Sequence, residues 1–293
     1  MNIEEITIAG KSKNPLKVRR FGYGTMRLTG PGIWGEPANR TEALQILKQC
    51  IANGLNFIDT ADYYGEDVTN RLIAEAIHPY PAGLVICTKV GGTRRPDKSW
   101  IPHNRPENLR SSIDNNLRTL KLEQITLVHF RAIAGEGAPF KESLGAMFEM
   151  QKEGKILHVG VSNLSAEELE TAMAIGPIAT VENMYGHAQR NSVQLAHGGI
   201  TNGGEEVLAI CEKNAIPLIP YFSLFQSLPK KDERIAAIAK KHNATEAQVN
   251  LAWLLHRSPW LLPIPGTSSL AHFEENLKAV DIKLSEEDMR FLG

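Results

Sequence analysis

The sequence predicts an α/β chain folded as a (β/α)8 barrel, and three observations carry that expectation. Along 293 residues, eight short β-branched or aromatic runs alternate with eight longer amphipathic stretches. Strands alternating with helices argue for a parallel sheet with right-handed crossovers. The turn after the first of these runs reads Gly22-Tyr23-Gly24-Thr25-Met26, which is not the GxGxxG of an open, doubly wound nucleotide-binding sheet. No Pro/Ser-rich linker or charge block divides the chain, so residues 1–293 are expected to form a single barrel domain, a length barrels commonly reach.

In chain order, the predicted barrel strands are 20–25, 56–59, 84–89, 125–130, 156–162, 179–182, 216–221 and 261–265. The helices between and after them are 41–53, 67–78, 106–121, 139–153, 165–175, 204–214, 245–257 and 269–280. Ser165-Ala-Glu-Glu168 and Thr245-Glu-Ala-Gln248 are capping boxes that start two of these helices. Pro106 suits a first helical turn, where its missing N–H costs nothing. Gly54 and Gly154 close helical stretches. Ahead of the barrel, Ile6-Thr7-Ile8 and Leu16-Lys17-Val18 flank a Gly/Ser/Asn turn, which reads as a hairpin over the N-terminal mouth. Helices at 231–242 and 286–292 are extra to the eightfold count.

Thirty-two Lys+Arg against thirty-three Asp+Glu leave a net charge of −1, with 42% hydrophobic and 22% charged residues. Those values exclude a disordered chain and lack the basic footprint of a nucleic-acid binder. Three scattered cysteines, Cys50, Cys87 and Cys211, make neither a disulfide framework nor a metal knuckle and suit a reducing compartment. Residues 1–10 carry Glu4 and Glu5 without an apolar h-region, and no apolar run reaches membrane-spanning length. The expectation is a cytoplasmic protein, monomeric, with no membrane or nucleic-acid partner and no bound metal.

Working groups of such a barrel lie at the C-terminal ends of its strands. These ends carry Asp59, Lys89, His129, Ser162-Asn163 and Glu182, with Tyr64 and Tyr185 just beyond strands. Ionisable groups are costly to bury unless paired, so the cluster points to chemistry. A Lys ammonium beside a Tyr lowers the phenol's pKa. An Asp keeps that Lys protonated, and a His orients a carbonyl oxygen. Together they would polarise C=O and protonate an alkoxide. No side chain supplies the hydride, so a nicotinamide cofactor is implied.

Asn56-Phe-Ile-Asp59-Thr-Ala-x-x-Tyr64-Gly65, Thr88-Lys89, Leu127-Val-His129, Gly160-Val-Ser-Asn163 and Ile264-Pro-Gly-Thr-Ser-Ser-x-x-His-x-x-Glu-Asn276 occur in that order. This series resembles the aldo-keto reductases over about residues 20–280. The run 22–32 and Ile264-Pro-Gly-Thr-Ser-Ser269 are similar to the bacterial and yeast branch containing pyridoxal reductases. The resemblance implies Tyr64 as general acid, Lys89 as its partner, Asp59 as partner of Lys89, and His129 on the oxyanion side. The Asp-x4-Tyr spacing selects Tyr64 over the adjacent Tyr63.

It implies NADPH as cofactor, with Ser162, Asn163 and Glu182 at the carboxamide and Tyr185 stacked on the nicotinamide. Relatives carry Gln where this chain has Glu182, and an ionised Glu only accepts hydrogen bonds. Tyr221, Ser223 and Leu224, within a loop running to Gln226, would follow the pyrophosphate; Gly24, Thr25 and Met26 would also line the cofactor. Gly266, Thr267, Ser268 and His272 would meet the 2′-phosphate at a helix N-terminus. Glu275 and Asn276 would meet the adenine. Tyr23, Trp34, Tyr64, Trp100, Phe130 and Arg131 would line a pocket for a small, flat aldehyde.

Each residue has a plainer alternative: a strand-end cap for Asp59, a snorkelling Lys89, a hydrogen-bonded core His129, ordinary packing for Tyr185, a surface position for His272. The loop spanning His187 to His197 is expected over the cofactor. The expected function is NADPH-dependent aldehyde reduction, pyridoxal being the named candidate. Its rivals are a broad detoxifying reductase and an NADPH-binding regulatory subunit without turnover.

Overall fold

A computed structural model describes residues 3–133, 135–194, 200–201, 203–224 and 232–293. An antiparallel hairpin comes first, β1 (Glu5–Ile8) against β2 (Leu16–Arg19), with Ile6 opposite Val18. The barrel strands then follow as β3 (Tyr23–Gly24), β4 (Phe57–Asp59), β5 (Val85–Arg94), β7 (Ile125–Arg131), β8 (Ile156–Ser162), β9 (Val181–Met184) and β12 (Leu218–Tyr221). Neighbours in this series pair in parallel. Strand β6 (Trp100–His103) folds back antiparallel on the long end of β5. A small pair, β10 (Val193–Gln194) and β11 (Ile200–Thr201), lies in a loop.

The predicted strand at 261–265 is present only as a bridge, because Pro263 and Pro265 remove two ladder donors. It still closes the barrel. Leu218 N–H donates to Trp260 O at 2.8 Å, Leu262 N–H to Leu218 O at 3.0 Å, and Gly22 N–H to Pro263 O at 2.9 Å.

Crossover helices are α1 (Arg40–Ala52), α2 (Val68–Ile77), α3 (Pro106–Leu120), α4 (Phe140–Lys152), α5 (Ala166–Ile175), α6 (Glu205–Asn214), α8 (Glu246–Arg257) and α9 (Leu270–Leu277). The extra helices are α7 (Glu233–Lys241) and α10 (Glu286–Leu292). Both predicted capping boxes form, at Ser165 and Thr245. Ser285 makes a third with Asp288. The stretch expected as one helix over 269–280 splits into α9 and a 3-10 turn, Lys278–Asp281.

Side chains alternate across each strand. Phe57, Val85, Cys87, Leu127, Ile219, Leu262 and Ile264 point into the barrel. There they pack on Ile6, Ile8 and Val18 of the hairpin, which stoppers the lower mouth. Alternate residues such as Val128 and Phe130 face outward to the helices. Buried Arg20 fastens the hairpin, donating to Ser258 O and Leu255 O at 2.9 Å and to Glu4 at 2.7 Å. Among the described residues, no helix is long and apolar enough to cross a membrane.

Candidate active site

Asp59 ends β4, and the chain turns sharply there to bring Tyr64 back over the barrel. Gly65 has φ +66°, and a Cβ there would meet Gly35 O, Thr29 and Val68 at 2.9 Å, so the turn needs glycine. A buried polar ladder fixes the turn from outside. Thr60 Oγ1 donates to Asn70 Oδ1 (3.0 Å), and Asn70 Nδ2 to Asn116 Oδ1 (2.9 Å). Thr88 Oγ1 donates to the same Asn116 oxygen at 2.6 Å. The ladder ties α2 and α3 to the ends of β4 and β5. On the opposite side Thr25 Oγ1 donates to Asp59 O at 2.9 Å.

Lys89 projects inward from β5. Its Nζ donates to both Asp59 oxygens, at 2.5 and 2.6 Å, and to Thr60 O at 3.2 Å. It also lies 3.4 Å from Glu182 Oε1 and 5.1 Å from the centre of the Tyr64 ring. Lys89 and Glu182 are 1% exposed and Asp59 3%, so two carboxylates share one dry ammonium. Burial pushes Asp59 up, Glu182's charge adds to this, and Lys89 opposes it; the result is about 7. Burial works against Glu182 as well, but Lys89, His129 and Arg131 outweigh it and hold this group at about 2. Burial works against the Lys89 charge, and the two carboxylates more than offset it.

Tyr64 differs from expectation. Lys89 does pull its pKa down, yet burial is the larger effect and the phenol is pushed up to about 12. Tyr64 is therefore a firmly protonated donor. His129 also differs. Its Nδ1 lies 2.8 Å from Glu182 Oε2 and its Nε2 2.7 Å from Thr180 Oγ1. Burial lowers its pKa, so the ring is neutral. With Glu182 accepting from Nδ1–H, Nε2 accepts from the Thr180 hydroxyl. Both nitrogens therefore already have partners in the protein, and the ring ties Glu182 to Thr180.

Asp59, Cys87 and His129 bring ligand atoms within 4.8 Å of one another. Of the three only Asp59 carries a carboxylate, and both its oxygens already accept from the Lys89 ammonium.

Ser162 and Asn163 gather beside Tyr221 at the ends of β8 and β12. Asn163 adopts φ +64°. Its Nδ2 donates to Ala132 O at 3.2 Å, and its Oδ1 accepts from Tyr221 Oη at 3.2 Å. Arg131 Nη1 donates to Ser162 Oγ at 3.0 Å, and the guanidinium lies 5.0 Å from the centre of the Tyr221 ring.

Tyr185 is not in this group. It falls three residues after inward Glu182, hence on the outer face. Its ring packs on Trp253 (5.8 Å) and its hydroxyl donates to Glu205 Oε2 at 2.7 Å. Tyr221 is the tyrosine that faces the site.

Phe130 is likewise outward, 5.7 Å from Phe140 of α4, because it neighbours inward His129 on a strand. Tyr23 packs edge-on against Phe273 and donates to Thr267 O at 2.6 Å. It therefore supports the 266–269 segment from behind. Trp100 does approach the site, 5.2 Å from Tyr63, and Arg94 lies 4.3 Å from Trp100 and 5.8 Å from Trp34.

Gly24 and Gly266 meet backbone to backbone, a Cβ on Gly266 falling 2.4 Å from Gly24 O. Met26 packs beside Tyr63 and Tyr64. Thr267 Oγ1 accepts from Ser269 N–H, and Ser269 caps α9, accepting from His272 N–H. Ser268 and His272 are exposed at this helix start, and Asn276 is buried. The Glu275 carboxylate accepts from Thr245 Oγ1 at 2.7 Å, at the start of α8. A carboxylate absent from the expectations sits here instead: Glu42 Oε1 accepts from Leu270 N–H at 2.9 Å. Ser223 and Leu224 follow β12, half-buried. Phe225 and Gln226 of the expected pyrophosphate loop, and His197, lie outside the described residues.

Comparison with known proteins gives one answer. The model of the aldo/keto reductase family matches residues 20–292. Pyridoxine 4-dehydrogenase of Escherichia coli (strain K12) is 38% identical over 98% of this chain and 96% of its own. An uncharacterised oxidoreductase of Schizosaccharomyces pombe is 37% identical over 92% of this chain and 84% of its own. A thermostable aldo-keto reductase crystallised with the inhibitor epalrestat superposes with a TM-score of 0.82 at 31% identity, covering 100% of this chain and 98% of that one. An aldo-keto reductase from Klebsiella pneumoniae in complex with NADPH gives 0.77 at 26%, covering 100% and 94%. With five ordered motifs, a closed (β/α)8 barrel and a family match across nearly its whole length, this chain belongs to the aldo/keto reductase family.

Proposed function

We propose that this protein interconverts a small aromatic aldehyde and its alcohol with NADP(H), pyridoxal and pyridoxine being the leading pair. The observation that carries this is Tyr64 held beside Lys89, whose ammonium is locked by both oxygens of Asp59. The donor set fits a nicotinamide dinucleotide. The Ser162 hydroxyl, the Asn163 amide and the Tyr221 ring lie together around Arg131, with chemistry suited to a carboxamide and its ring. Ser268, Ser269 and His272 at the start of α9 offer donors to a phosphate. When bound, the reduced nicotinamide supplies the hydride.

The chain's own part is proton placement. Tyr64 hydrogen-bonds the carbonyl oxygen and gives it its proton as negative charge develops. Lys89 stabilises the phenolate left behind. Asp59 and Glu182 keep Lys89 charged, and Thr180, through His129, keeps Glu182 in place. Trp100 and Tyr63 supply aromatic walls for a flat ring. The named E. coli relative supports pyridoxal among aromatic aldehydes.

The test is loss of reduced-nicotinamide absorbance with purified protein and pyridoxal, beside 4-nitrobenzaldehyde and methylglyoxal. Preferential turnover of pyridoxal is expected. Equal, slow turnover of all three would replace it with broad aldehyde clearance. Tight NADPH binding without any turnover would point to the regulatory-subunit rival.

A further inference from the structure

Two polar groups beside the site, the Tyr63 hydroxyl and the Arg131 guanidinium, have no task in that proton transfer. Tyr63 is edge-on to Tyr64 at 5.4 Å and to Trp100 at 5.2 Å. It is 4% exposed, and its hydroxyl is buried without a hydrogen-bond partner. Buried hydroxyls are nearly always paired, so an orphan beside a reaction centre calls for a ligand. Arg131 is the second group. It ends β7 pointing inward, over Tyr221 and onto Ser162.

Among the described residues, no carboxylate lies within ion-pair distance of Arg131. The obvious candidates are occupied: both Asp59 oxygens hold Lys89, and Glu182 is divided between Lys89 and His129. A guanidinium stays charged in any pocket. Half-buried, with no described carboxylate inside ion-pair distance, it favours an anion at its face. Arg131 stands two residues beyond inward His129, which pairs with Lys89 on β5; Tyr64 lies over Lys89 and Tyr63 against Tyr64, so the three gather at the same end of the barrel.

We propose that Arg131 and the Tyr63 hydroxyl form an acidic-oxygen subsite. The substrate it selects carries, beside its carbonyl, a second ionised oxygen: a phenolate ortho to an aldehyde, or a carboxylate next to a ketone. Tyr64 takes the carbonyl oxygen while Arg131 and Tyr63 take the other. This rests on the site being a carbonyl reductase, and it sharpens what that reductase accepts.

The experiment compares kcat/KM for salicylaldehyde, 2-methoxybenzaldehyde and benzaldehyde, with phenylglyoxylate as the carboxylate arm. Wild type should prefer salicylaldehyde over its methyl ether by about tenfold or more, as charge-assisted hydrogen bonds allow. Preference for phenylglyoxylate alone would assign the subsite to a carboxylate. Arg131→Met should bring the ratio to about one, Arg131→Lys should recover part of it, and Tyr63→Phe should lower it severalfold through KM. NADPH affinity, read by fluorescence titration, should not follow these changes.

No discrimination in wild type, or discrimination that survives Arg131→Met, would overturn the subsite. Equal weakening of NADPH and of every substrate would also overturn it, assigning the guanidinium to the cofactor side through Ser162. If no aldehyde turns over, the carbonyl-reductase function fails separately. Titration with salicylate then decides the subsite alone: binding that Arg131→Met abolishes upholds it, and no binding to wild type overturns it.

Discussion

Glu182 Oε2 accepts a hydrogen bond from Nδ1 of His129 at 2.8 Å, while its other oxygen lies 3.4 Å from Lys89. A carboxylate here adds a buried negative charge beside Asp59. Glu182→Gln removes it, and with it one of the two influences that push Asp59 up to about 7. The acid limb of the kcat/KM profile should move to lower pH in the variant. An unmoved limb would separate Asp59 from that titration.

Tyr64→Phe removes the proton donor but keeps the ring. Turnover should fall by about two to four orders of magnitude, the usual range for a general acid. NADPH affinity should stay within about twofold, measured by quenching of intrinsic fluorescence. A variant that keeps its turnover would dismiss Tyr64 as the acid.

The Glu42 carboxylate lies on Leu270 N–H, at the start of the helix proposed to meet a phosphate. It competes there with an anion. Glu42→Gln should tighten NADPH about two- to fivefold while leaving NADH nearly unchanged, since a half-buried charge at a helix start is still screened by water. Parallel dissociation constants for the two cofactors check this.

Asn116 accepts from both Asn70 and Thr88. Asn116→Ala strands two buried donors, which costs about 2–4 kcal/mol in all. The denaturant midpoint should drop with an unchanged slope. Because the same ladder braces the turn to Tyr64, kcat should fall as well.

Asp62 is pushed up to about 8, chiefly by burial and then by the charge of Asp67. An acid with a raised folded-state pKa binds its proton more tightly when folded. Its contribution is therefore complete below the unfolded value near 4 and is lost as pH rises through about 8. Asp62→Asn should flatten the fall in stability across that window, read as melting temperature against pH.

Helices were the most legible elements, since caps such as Ser165-Ala-Glu-Glu168 mark their own starts within a few residues. Asp59, Tyr64 and Lys89 were marked by their motifs: Asp59 ends β4 as expected, Tyr64 follows in the turn, and Lys89, expected at a strand end, falls inside a β5 that runs on to Arg94. The errors share a physical source. Adjacent strand residues face opposite ways, yet His129 and Phe130 were both expected at the pocket. Register separates Tyr185 from Tyr221: Glu182 faces inward, so a residue three positions on faces out, whereas Tyr221 follows inward Ile219 by two. Other features left no local mark. The spending of both His129 nitrogens depends on Thr180, 51 residues away, and the approach of Glu42 to Leu270 spans 228. Tyr63 was set aside because spacing favours its neighbour, and only burial exposes its unmatched hydroxyl.

Ile6, Ile8 and Val18 of the β1–β2 hairpin close the lower end of a barrel already filled by Phe57, Leu127 and Ile219, so the charges of Lys89, Asp59 and Glu182 rest on an apolar floor. A polar group or a void introduced into that floor, on residues that touch none of the three, would let water in beneath them and relax the burial that sets their protonation. The hairpin at the far end of the chain is thereby part of the electrostatics of the site.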